Sequence, residues 1–70
     1  MRTVTFILGF HGDFEVEVVD HNLKTLKKAH LEEFYKEIGM FNPLEGFKEE
    51  FWDMQVKNFQ VKDKQITILV

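Results

Sequence analysis

A chain of 70 residues makes one small domain, and a domain of this size buries only about 60% of the surface its unfolded chain exposes, so its stability is marginal unless a partner adds to it. It holds no cysteine and no serine, which excludes disulfides, thiolate zinc sites and Ser- or Cys-based acyl transfer, and none of its four threonines adjoins a histidine. The net charge is −3 and only one of the nine bases is arginine, the residue best suited to phosphates and base edges, so nucleic acid is an unfavoured partner.

Residues 1–10 alternate, with Val4, Phe6, Leu8 and Phe10 on one side and Thr3, Thr5, Ile7 and Gly9 on the other. Residues 14–20 do the same, with Phe14, Val16 and Val18 against Glu15, Glu17 and Val19. Both predict half-buried strands. A three-residue loop, His11-Gly12-Asp13, would pair Phe10 with Phe14, Leu8 with Val16 and Phe6 with Val18 in an antiparallel hairpin.

Over residues 22–38 the spacing becomes helical: Leu23, Leu26, Leu31, Phe34, Tyr35 and Ile38 form a stripe broken by Lys27 and His30. Asn22 is a suitable N-cap and Gly39 a suitable stop, which predicts one long helix as the main lid on the core. A second helix is predicted over residues 43–54, from Asn42 at the cap, Pro43 first and Glu45 third, with an apolar stripe of Leu44, Phe47, Phe51 and Met54. Gly46 weakens it by roughly 1 kcal/mol relative to alanine.

Residues 56–70 predict a second hairpin, with a turn at Asp63-Lys64 that pairs Val61 with Ile66 and Phe59 with Ile68, all four facing inward. An Ile-Thr-Ile-Leu-Val segment would make a poor exposed tail, so this last strand is expected in the centre of the sheet, beside the first one. The expectation is therefore a single α+β domain over residues 1–70. It has a four-stranded antiparallel sheet, ββααββ in chain order and 2-1-4-3 in space, with both helices on one face.

No metal motif joins the three histidines, and His21 with Asp20 lacks a third ligand in sequence. The pairs Glu32-Glu33 and Glu49-Glu50 resemble the carboxylates of glycoside hydrolysis but equally a solvated helix face, and the scattered glycines form no phosphate loop. No catalytic residue, metal or cofactor is assigned. No segment nears the ~20 apolar residues of a membrane span, and Arg2 leads into alternating threonines rather than a signal peptide, so a cytoplasmic protein is expected, free of membranes.

Two electrostatic anomalies stand out. In the predicted long helix Lys24, Lys27 and Lys28 come first and Glu32, Glu33 and Glu37 last, against the helix dipole at both ends. In the predicted second helix Glu45, Glu49 and Asp53 stack like charges at i, i+4 and i+8. Residues 43–55 hold four acids and one base, the whole net charge, while the other 57 residues carry eight of each. The functional expectation is a non-enzymatic protein-interaction module, an adaptor or inhibitor. It would present Glu45, Glu49, Glu50 and Asp53, with Trp52 as aromatic anchor, to a basic protein surface. A viral or mobile-element product that blocks a nucleic-acid enzyme by imitating phosphate charge would fit that description. The alternative is a structural protein that forms a homodimer through the outer sheet face or an edge strand.

Overall fold

In β1 (Glu15–Val19) Val16 and Val18 alternate with Glu15 and Glu17, and in β4 (Gln65–Leu69) Ile66 and Ile68 alternate with Gln65, Thr67 and Leu69. Alternation sends these four β-branched side chains to one face, where all are buried. The computed structural model, which describes residues 1–70, places β1 and β4 side by side at the centre of a four-stranded sheet. Its outer strands are β2 (Thr25–His30) and β3 (Asn58–Lys62), in the order β2-β1-β4-β3. The class is α+β and the spatial order is 2-1-4-3, as expected.

The C-terminal hairpin has the predicted register, Val61 opposite Ile66 and Phe59 opposite Ile68, around a two-residue turn in which Asp63 takes a left-handed φ of 55°. The last strand is central, as its apolar run demanded. Phe59 and Val61 lie on the inner face yet stay 53% and 44% exposed, because the helical layer covers the middle of the sheet and stops short of this edge.

Four expectations are corrected. The sheet is mixed rather than all antiparallel: β1 pairs with β4 in parallel, Val16 opposite Ile66 and Val18 opposite Ile68. The strand beside β4 is therefore Glu15–Val19 and not residues 1–10, which form instead a short helix, α1 (Thr3–Ile7), and a connection through Gly12 at a φ of +116°. Five residues fit period 2 and period 3.6 almost equally well, and burial of Thr3, Val4 and Ile7 shows that the helical period won. The Thr3 amide and hydroxyl both donate to the carbonyl of Met54 at 2.9 Å, which pins the start of α1 to the residue just after Asp53.

The predicted long helix over residues 22–38 is half strand. Residues 25–30 pair with β1 as β2, Val16 opposite Ala29, and only at Leu31 does the chain turn into α2 (Leu31–Gly39). His30 is the true N-cap, its ring Nδ1 accepting the Glu32 amide at 3.1 Å, and Leu23 sits 77% exposed in a turn at a φ of 62°. The predicted second helix over residues 43–54 does not form either. Its place is taken by a loop that ends in one 3₁₀ turn, Glu50–Asp53.

One core results. Val4 and Ile7 from α1, Leu31 and Phe34 from α2, and Phe51 and Trp52 from the 3₁₀ turn close over Val16, Val18, Ile66 and Ile68. Each fully buried side chain of this kind contributes on the order of 1.5–3 kcal/mol before entropy is subtracted. No helix is long and apolar enough to cross a membrane.

Candidate functional site, an acidic aromatic cleft

Asn42 starts a tight turn rather than a helix. Its side-chain oxygen accepts the Leu44 amide at 2.9 Å and its carbonyl accepts the amides of Glu45 and Gly46 at 3.1 and 2.6 Å. Gly46 then reverses the chain at a φ of +74°, a conformation that a side chain at this position resists. The reversal folds Phe47 back so that its ring lies 4.6 Å from that of Phe41 and 5.4 Å from the indole of Trp52, nearly parallel to the latter. Trp52 is entirely buried, with Phe51 at 4.9 Å and Phe34 at 5.7 Å, and its Nε1 donates to Glu49 Oε2 at 3.2 Å.

Between this loop and the last turn of α2 lies a cleft of about 440 Å³. Phe41, Phe47 and Trp52 form its aromatic wall and floor, and Glu37, Glu45 and Glu49 its carboxylates, with Lys48 as the single base. Glu37 is the most constrained of the acids. Its Oε1 accepts from Lys27 Nζ at 2.9 Å, while Oε2 is buried without a hydrogen-bond partner. A buried acceptor left unsatisfied costs about 1–3 kcal/mol. Lys27 is itself held on the inner face, its ammonium 5.3 Å from the centre of the Phe34 ring.

Of the five residues singled out from sequence, Glu45, Glu49 and Trp52 line this cleft. Glu50 and Asp53 do not. Glu50 is exposed at the start of the 3₁₀ turn, and Asp53 pairs with Arg2 at 3.1 Å. There is no acidic ridge, since its helix is absent, and Trp52 is core rather than a presented anchor. Glu37, Phe41 and Phe47 went unrecognised as site residues because nothing local in sequence joins them. Glu37 read as helix surface, and Phe41 as the residue ahead of a cap.

A second group of polar side chains gathers around a shallower cavity of about 370 Å³, where His11, Asp13, His30, Glu32 and Tyr35 meet. The bonds made by Asp13 to His30 and by the Phe10 carbonyl to Tyr35 fasten the 8–14 loop to α2 and its cap. Because His30 Nδ1 accepts from the Glu32 amide, Nε2 carries the proton and donates to Asp13 Oδ1 at 2.7 Å. Both ring nitrogens are thus engaged and neither can serve as a base. Tyr35 donates its hydroxyl to the carbonyl of Phe10 at 2.5 Å, and His11 stacks on its ring at 6.3 Å. The His30 hydrogen bond, aided by the Lys64 ammonium at 3.7 Å, holds the Asp13 carboxyl below its ordinary range.

Asp20 is lowered too, chiefly by the Lys24 amide, with the Asn22 amide adding to it. That carboxylate closes the turn into β2, and no group of three or more His, Asp or Glu side chains is placed to hold a metal ion. Comparison with protein-family models, with curated proteins and with solved structures finds no match to this chain.

Proposed function

We propose that the protein is a non-enzymatic interaction module whose cleft between α2 and the 40–49 loop receives a basic side chain of a protein partner. One observation carries this reading: three carboxylates and three aromatic rings surround the same 440 Å³ cleft with a single lysine among them. A guanidinium or ammonium entering there meets ring faces and negative charge together, the combination that favours cations over neutral or anionic groups. Met40, 80% exposed at the rim, and Leu44, 95% exposed in the turn that carries Glu45, supply apolar surface for the rest of the partner's chain. The charge that sequence placed on a helical ridge thus acts from a loop.

The test is a titration of ¹⁵N-labelled protein with a short arginine- and lysine-containing peptide, and with a glutamate-containing peptide of equal length as the control. Amide shifts confined to Glu37, Phe41, Glu45 and Phe47, absent with the acidic peptide and abolished by Glu45→Lys, are the expected result. Binding is also expected to weaken as salt rises, since Glu45 at the rim is exposed to solvent. Shifts scattered over all exposed acids, or none in the cleft, would remove the proposal.

A further inference from the structure

We infer that β3 pairs with β3 of a second copy of this chain, antiparallel and centred on Gln60, joining two sheets into one. The two edges of the sheet are built differently. β2 is blunted in the ways that keep edge strands from pairing: Lys27 points inward to Glu37, 2.9 Å away, and a bulge interrupts the ladder between Val18 and Val19. β3 has neither device. Its ladder to β4 is unbroken from Asn58 to Lys62, and its inward side chains are the exposed Phe59 and Val61.

Backbone geometry decides the register. Lys62 and Gln65 flank a two-residue turn, so they exchange both ladder bonds, and alternation assigns the same role to Gln60, while at the far end the Lys57 amide donates to the Leu69 carbonyl at 2.8 Å. The amides and carbonyls of Phe59 and Val61 therefore face away from β4. Only the Phe59 amide has a partner, Oδ1 of the neighbouring Asn58 at 2.8 Å. A two-fold axis through Gln60 sets each Phe59 against the second copy's Val61, with both outward-facing residues in position to exchange hydrogen bonds. The same register brings Lys57, just before the strand, toward Asp63 in the turn of the second copy, opposite charges at each end, and opposes no like charges. On the inner side Phe59, already 4.9 Å from Phe6, gains apolar neighbours where the helical layer ends. A shift of the axis by one residue in either direction moves Asp63 away from Lys57 and breaks the Phe59 to Val61 match.

The absence of native cysteine makes the test direct. Gln60 would face its own copy in a non-hydrogen-bonded pair, with Cα atoms about 4.5 Å apart, inside the range a disulfide spans. Sedimentation of the wild-type chain is expected to show a monomer–dimer equilibrium, and Val61→Lys, which copies the inward lysine of β2, to leave a monomer with an unchanged circular dichroism spectrum. Under mild oxidation Gln60→Cys is expected to cross-link to itself about tenfold faster than Asn58→Cys or Lys62→Cys alone, while an equimolar mixture of those two cross-links with each other. A wild-type monomer up to about 1 mM overturns the inference, as does cross-linking that is equal at all three positions. Should Val61→Lys fail to fold, the cross-linking comparison still decides.

Discussion

Asp13 shows how one exposed carboxylate can couple a loop, a strand end and a helix start. It accepts from His30, whose other nitrogen caps α2, and it faces Lys64 in the turn of the far hairpin. Its folded-state affinity for protons is lowered, so its contribution to stability is present above the unfolded value of 3.8 and is lost as pH falls through the lower folded value. Asp13→Asn is therefore expected to lower the urea midpoint near pH 7 and to have a smaller effect at the acid end of the range, as pH falls through that lower folded value and the native carboxyl gains its proton. Equal destabilisation at both pH values would show that the carboxylate's charge is irrelevant. None of this partnership was legible in sequence, where His11 and Asp13 read as a turn and His30 as a break in a helical stripe, because the bond spans 17 residues.

At the level of the element, both electrostatic anomalies in the sequence turn out to be signs of misplaced helices. With α2 starting at Leu31, Glu32 and Glu33 occupy its first turn and Lys36 its last, the arrangement the helix dipole favours, and Glu37, the one acid left in the last turn, is paired with Lys27 of β2. The lysines that seemed to oppose the dipole belong to a strand and the turn before it. The like charges at 45, 49 and 53 are likewise not stacked, since a turn and an extended segment separate them. A local conflict of this kind is a reason to move the boundary before seeking a function for it.

Gly46 offers an experiment whose sign distinguishes the two structures. Inside a helix Gly46→Ala would stabilise by roughly 1 kcal/mol, but at a φ of +74° it is expected to destabilise by about that amount, although nothing lies within 4 Å of the added methyl. Chemical denaturation of the variant reads the sign directly. A gain in stability would place residues 43–54 back in a helix and dissolve the cleft.

Seen whole, the protein depends on a few residues from every element meeting in one core, so the two hairpins have no independent reason to stay folded. Chains of this length retain roughly 4–10 kcal/mol of net stability, and emptying the space of a buried aromatic costs about 3–5 kcal/mol. Phe34→Ala, which removes a fully buried ring packed between Phe51 and Trp52, is thus expected to leave the chain largely unfolded at 37 °C in thermal circular dichroism, the loss being shared by all strands at once. If β1 and β4 keep their signal while α2 melts, the single-core description is wrong.

By itself the sequence determined the α+β class, the strand character of residues 15–19, the central place of the last strand, the C-terminal hairpin with its register, and the 2-1-4-3 order. Those features rest on strict alternation of β-branched residues and on a two-residue turn, which are local and strong. Only the tertiary structure decided the rest. That Thr3–Ile7 coils, that residues 25–30 extend, that β1 meets β4 in parallel and that Glu37 joins Glu45 and Glu49 around one cleft all depend on which surfaces remained to be covered once the central strands had paired. Short segments with two compatible periods take whichever one buries them, and that is a property of their neighbours.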